Sequence, residues 1–354
     1  MKNNLYLMVF GIVVLLIAVA AASTLFFNRS LSSRNVTAVN LTNYGQAPNL
    51  VGLSHWINSN ALNLSQLKGK VVIIDFWTYS CINCIRSIPH LNAWYNAYGN
   101  NGLVIIGVHT PEFQFEHNYS NVYDAVQRFG IKYPVALDNN YSTWDAYGNE
   151  YWPADYIIDK NGDVRYTVFG EGDYNQTEAV IRALLENAGY AIQPNFTNVP
   201  LNINFSGIGT PEIYLGYAKA REAIGNPENF QPNRTVAYTF SNPIQNNTVY
   251  FSGSWYNAPD GMVAVNDSKI FLTYKADKVN IVASGNQSEI VVKLDGKNLT
   301  QSELGSDTHL SEGEAMEVVN SSRLYNIVST SSYQWHTIEI DASPGFKIYT
   351  FTFG

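Results

Sequence analysis

Hydrophobic positions fall into two textures along this chain. Up to about residue 190, compact apolar runs alternate with segments of helical spacing. Val71-Val-Ile-Ile74 and Leu103-Val-Ile-Ile106 are unbroken, the pattern of strands buried on both faces. After the first run, Ile85, Ile88, Leu91 and Trp94 recur at helical spacing; Val122 to Phe129 predicts a second helix ended by Gly130, and Thr177 to Ala188 a third ended by Gly189. Short strands are expected at Tyr133–Leu137 and Asp155–Asp159, with Asn161-Gly162 turning the chain into a further strand through Val168. Alternation of this kind predicts an α/β domain over 44–190, a sheet covered by helices.

From Thr235 the runs become short and alternating: Val249-Phe251-Gly253-Trp255, Ile270-Leu272-Tyr274, Val279-Ile281-Ala283, Ile290-Val292-Leu294, Leu324-Asn326-Val328, His336-Ile338-Ile340 and Phe346-Ile348-Thr350. With turns at Asp295-Gly296 and Pro344-Gly345, they predict an all-β sandwich of jelly-roll type over 235–354. Residues 191–234, rich in Pro and Asn with one helical piece around Tyr214–Ala223, read as a linker strapped to one or both domains. At the other end, Leu5–Phe27 is an uncharged apolar run able to cross a hydrocarbon core of roughly 30 Å as a helix. Residues 1–27 are therefore expected as a transmembrane anchor or signal segment, and the Asn-, Ser- and Thr-rich residues 28–43 as a spacer.

Composition narrows the chemistry. A net charge of −8 argues against nucleic acid or an anionic lipid surface as partner. The chain has two cysteines, Cys81 and Cys84, in one Cys-x-x-Cys, so no other disulfide is possible. A zinc site would need two further ligands, and the six histidines are scattered without ligand spacing. No metal or cofactor is expected. Asn-x-Ser/Thr acceptors recur from Asn28 to Asn320, always after the apolar run, which favours an exported, glycosylated chain with its amino end inside and its bulk outside.

The Cys pair opens the first helix directly after the buried strand. A thiolate at Cys81 meets unpaired N–H groups and the positive end of the helix dipole there, while Cys84, one turn in, becomes the resolving thiol. Asp75 lies inside the apolar strand, where a carboxylate is costly without work or a partner. It relays the Cys84 proton, or it is satisfied by a backbone donor or Lys70. Trp77 and Trp152 are expected to wall the site. Glu112 and Glu150 either raise the thiol pKa values or sit solvated in loops, and Arg86 either favours thiolate or faces solvent.

These residues also carry a family likeness. Asp75-Phe-Trp77 before Cys81 resembles the thioredoxin-like superfamily, and Phe76-Trp-Thr-Tyr-Ser-Cys-Ile-Asn-Cys84 resembles the extracytoplasmic part of the DipZ group of cytochrome c biogenesis proteins, allied to TlpA-type thiol reductases. Gly107–Phe113, Ala136–Tyr141, Tyr151–Tyr156, Phe169–Tyr174, Thr210–Tyr217 and Tyr349–Gly354 are similar to the same group. The resemblance implies a thioredoxin-like domain, then a carbohydrate-binding-module-like sandwich. It also implies a cis Pro153 facing the cysteines and leaving the Trp152 backbone free to pair with an extended substrate. DipZ proteins carry a multi-span electron-transporting module where this sequence has one apolar segment, so a separate membrane thiol carrier is expected to recycle the dithiol.

The expected function is that of a membrane-tethered extracytoplasmic thiol-disulfide oxidoreductase, reducing protein disulfides in the TlpA and DipZ manner; it is secreted if the apolar segment is cleaved. Two alternatives stand beside it. Thr78-x-x-Cys81 resembles the peroxidatic Thr-x-x-Cys, although Ile74 replaces the proline expected four residues before Thr78. Trp255, Tyr256, Tyr325 and Trp335, if exposed, form a stacking platform for glycan or a protein partner, with the thioredoxin-like domain as scaffold; if buried, they are core.

Overall fold

The computed structural model describes residues 41–200, 209–240 and 243–354. The expected membrane segment and most of the spacer lie outside these. No helix among the described residues is long and apolar enough to cross a membrane.

The first region builds six strands: β1 Trp56–Ile57, β2 Val71–Trp77, β3 Leu103–His109, β4 Val135–Leu137, β5 Ala154–Ile158 and β6 Val164–Phe169. They lie in the order β1-β4-β3-β2-β5-β6, with β2, β3 and β4 parallel and β5 and β6 antiparallel. Four helices pack beside the sheet: α1 Ile82–Tyr98, α2 Tyr119–Arg128, α3 Ser142–Ala146 and α4 Tyr174–Asn187. Every residue of β2 is buried, as its unbroken apolar run requires of a central strand. Its period of two sends Ile73, Asp75 and Trp77 toward one face, whose core also takes in Cys84, Ile88, Leu91, Trp94 and Ile157. Glu178 of α4 ties α1 to that face, accepting from the Trp94 indole at 3.2 Å and the Tyr98 hydroxyl at 2.5 Å.

Eleven further strands form an antiparallel all-β region: β7 Ile213–Tyr214, β8 Thr235–Tyr238, β9 Val249–Ala258, β10 Gly261–Ala264, β11 Ser268–Ser284, β12 Ser288–Leu294, β13 Lys297–Asn298, β14 His309–Ser311, β15 Glu314–Val319, β16 Arg323–Ala342 and β17 Lys347–Phe353. One half of β11 pairs with β9 and the other with β17, so the hydrogen-bonded path closes on itself through β10. The runs Ile270-Leu272-Tyr274 and Val279-Ile281-Ala283 are one strand, not two. A register shift between Ala276 and Lys278 moves the inward phase from even to odd residues. β16 likewise unites the two runs expected around 324–328 and 336–340, and its first part buries Tyr325 and Ile327 rather than Leu324 and Asn326. The helical piece expected at Tyr214–Ala223 is absent: β7 pairs with β17, turns follow, and Leu215 and Ile224 sink into the all-β core. Trp255 and Tyr325 are fully buried in that core while Tyr256 and Trp335 are exposed, so the four do not share one aromatic surface.

The two regions pack closely. Tyr349 of β17 meets the rings of Phe113 and Phe115 at centroid distances of 5.2 and 4.8 Å. The Tyr79 hydroxyl donates across the boundary to the Ser322 carbonyl at 3.2 Å. Arg86 of α1, half-buried rather than solvated, pairs with Glu171 at 2.9 Å and donates to the Phe353 and Gly354 carbonyls. The second region is thus fastened to the turn and helix that carry the cysteines. Tyr349→Ala should destabilise the chain by about 3–5 kcal/mol, the usual cost of emptying a buried aromatic site, and the urea midpoint reads it; an unchanged midpoint would show the contact to be idle.

Candidate active site

Cys81 caps the N-terminus of α1, its sulfur accepting from the Cys84 amide at 3.5 Å. Both cysteines are free thiols; Cys81 is half-buried and Cys84 buried. The Trp152–Pro153 peptide bond is cis, and the Trp152 carbonyl lies 4.0 Å from the Cys81 sulfur. Cys81 and Trp152 line a cleft of about 480 Å³ together with Glu112 and Glu150 from the first region and Glu212, Tyr214, Lys219, Arg221 and Phe353 from the second. Trp152 therefore walls the site. Trp77 does not: at 1% exposure it is core, packed edge-on against His109. Its indole leaves no space for a side chain at residue 107, because a Cβ on Gly107 would stand 2.9 Å from Nε1.

Asp75 is 1% exposed and has neither Lys70 nor a backbone donor as partner among the described residues. Its neighbour is another acid. In the β2–β5 register Asp75 stands directly opposite Asp155. Burial first, then the charge of Asp155, holds the Asp75 carboxyl well above the usual carboxylate range. Burial likewise pushes the Cys84 thiol up, and the Cys81 sulfur and Asp75 add to it. The sequence reading passed over Asp155, yet the signal was there: it stands two residues before Ile157 on the inward phase of an apolar strand.

Glu116, also missed, organises the loop facing the cysteines. Fully buried, it accepts from the Ser80 amide at 3.3 Å, the Ser80 hydroxyl at 2.5 Å and the Phe113 amide at 2.9 Å. The residue before Cys81 is thereby stapled to the loop after β3. Thr78 is buried, lies 3.4 Å from the His109 ring and is not among the residues lining the cleft. Glu112 reaches across the boundary, accepting from the Tyr214 hydroxyl at 2.5 Å, and Tyr214 also lies 3.1 Å from Glu212. Burial, then the charges of Glu212 and Glu116, push Glu112 up to about 8. No cluster of metal-ligating side chains occurs among the described residues.

A parallel-centred sheet, a dithiol at a helix N-terminus and a cis proline beside it define a thioredoxin-like protein of the thiol–disulfide oxidoreductase type. Residues 46–167 match the AhpC/TSA family and residues 210–354 a thioredoxin-like C-terminal domain, so the chain joins these two thioredoxin-like family domains. It is 40% identical over 334 residues to protein DipZ of Mycobacterium bovis, covering 92% of this chain and 45% of DipZ; the chain spans about half the length of the curated relatives it matches. It is 28% identical to the thiol-disulfide oxidoreductase ResA of Bacillus thuringiensis, covering 52% of this chain and 99% of ResA. A thiol-disulfide isomerase structure from Corynebacterium glutamicum is 25% identical, covers 39% of this chain and 96% of its own, and has a TM-score of 0.36.

The Glu112 shift makes a pH prediction. A carboxyl whose folded pKa lies above its unfolded value binds more protons when folded, so its contribution falls as pH rises from the ordinary carboxylate value to about 8. Melting temperature should fall across that window. Glu112→Gln should flatten the slope; an unaltered slope would remove Glu112 as its source.

Proposed function

We propose that the protein is an extracytoplasmic thiol-disulfide oxidoreductase, tethered by Leu5–Phe27, that reduces disulfides in polypeptide substrates. One observation carries the reading: Cys81 opens onto a cleft beside cis-Pro153 while Cys84 lies buried one helical turn behind it, above the Asp75 carboxyl. The Cys81 thiolate attacks a substrate disulfide, forming a mixed disulfide along the free Trp152 backbone. Cys84 gives its proton to Asp75, attacks Cys81 and releases the reduced substrate.

The reducing direction is our inference from the resemblance to the DipZ group and its TlpA-type allies. Burial first, then the Cys81 sulfur and Asp75, keep Cys84 a thiol until it resolves the mixed disulfide. A tether rests on the apolar run and on the Asn-x-Ser/Thr acceptors that follow it. A reductase needs its dithiol restored, and a membrane thiol carrier on a separate chain is the donor we infer. The DipZ likeness supports disulfide-bearing extracytoplasmic proteins as substrates.

Insulin-disulfide reduction should fall at least ~100-fold in Cys81→Ser, since removing a nucleophile removes the covalent route. Cys84→Ser should accumulate a mixed disulfide visible as a mass adduct on Cys81. Undiminished reduction by Cys81→Ser would end the oxidoreductase reading.

A further inference from the structure

The buried strand that carries Asp75 gives it one polar neighbour in the sheet. On the β3 side its register partner is Gly107, which has no side chain. On the β5 side it is Asp155. Directly opposed residues of an antiparallel pair hold their Cβ atoms about 4.5–5.5 Å apart on the same face. Both Asp75 carboxyl oxygens and Oδ1 of Asp155 lack a donor among the described residues. The Tyr133 hydroxyl and the Trp77 indole N–H, equally unpaired, are buried on the same side of the sheet. Two carboxylates this close in a water-poor chamber cannot both be ionised, and one proton shared between them answers the missing donors. The two differ in one respect. Asp75 is sealed at 1% exposure, whereas Asp155 is only half-buried.

We propose that Asp155 is the outer member of a carboxyl pair that conducts the Cys84 proton from Asp75 to solvent. The inference rests on Cys84 being the resolving thiol. At rest the shared proton sits on the deeper Asp75, facing an ionised Asp155; before resolution it passes to Asp155, whose O–H then donates to the Asp75 carboxylate. The Cys84 S–H proton passes to Asp75 as its sulfur bonds to Cys81 Sγ. The Cys81–substrate S–S bond breaks, and its electron pair leaves on the substrate sulfur, which takes a proton from solvent. Asp155 then releases its own proton to water and leaves the one on Asp75, restoring the resting pair. Over the full cycle the dithiol gives two electrons and two protons, and the substrate disulfide becomes two thiols. Burial pushes Asp155 up to about 7, which agrees with a proton held near neutrality.

Two readouts on the whole chain test this. In single-turnover release of a peptide thiol from the Cys81 mixed disulfide, Asp155→Asn should shift the acid limb of the pH–rate profile down by about one unit or more. Asp75 then has no like charge beside it and ionises at lower pH. The plateau should fall roughly tenfold, within the range general-base contributions reach. Asp155→Ala, should the amide disturb folding, must shift the limb the same way. A purely structural Asp155 would lower the melting temperature and leave the limb in place, and an unmoved limb in both variants would overturn the proposal. Infrared titration of the carboxyl C=O band needs no turnover and so separates this inference from the oxidoreductase reading. A protonated carboxyl titrating near neutrality, lost in Asp155→Asn and in Asp75→Asn alike, supports the shared proton; its absence from the unaltered chain overturns it.

Discussion

The rest of the structure depends on an acid held inside the central strand. Val71, Val72, Ile73, Ile74, Phe76 and Trp77 give β2 enough buried apolar surface to sit mid-sheet, and Asp75 among them bears the cost of desolvation. Its register places it opposite Asp155, and the helix packed on that face places Cys84 above it. Gly107 completes the arrangement by leaving room for Trp77 where a side chain would intrude. Folding energy and thiol chemistry therefore meet at one strand position. The same desolvation that makes Asp75 unfavourable as an ion makes it a base for a thiol that is itself too buried to ionise unaided.

The all-β region contributes to the same site. Its last strand, β17, carries Tyr349 onto the Phe113–Phe115 loop and its end onto Arg86, while Tyr214 grips Glu112. The cleft at Cys81 consequently has walls from both regions, Trp152 and Phe353 among them. The thioredoxin-like domain supplies Cys81 to the lining of that cleft, with Cys84 buried behind it.

Much of this was legible in the sequence. Unbroken apolar runs marked β2 and β3, helical spacing marked α1, and the Cys pair stood between strand and helix; these signals are local. What escaped was set by pairing across the fold. Asp155 stands on the inward phase of its strand, but only the register names Asp75 as its partner. The β11 phase change reads as a strand break unless a bulge is allowed, because period two cannot reveal one extra residue. Tyr325 lies off the phase read for Leu324-Asn326-Val328, although Trp255 stood on the alternation of its own strand, and Trp77 reads as a site wall because it adjoins the motif. Leu215 looked like linker because its backbone partner in β17, Tyr349, lies more than a hundred residues away.

The most direct measurement is the reduction potential of the Cys81–Cys84 pair in the whole chain, equilibrated in defined thiol–disulfide buffers. A reductase of protein disulfides should hold the pair at roughly −270 mV or below, the range of thioredoxin. A value nearer roughly −120 mV, that of a strong dithiol oxidant, would mean that the reduced form is stabilised and that electrons flow the other way, contradicting the reductase.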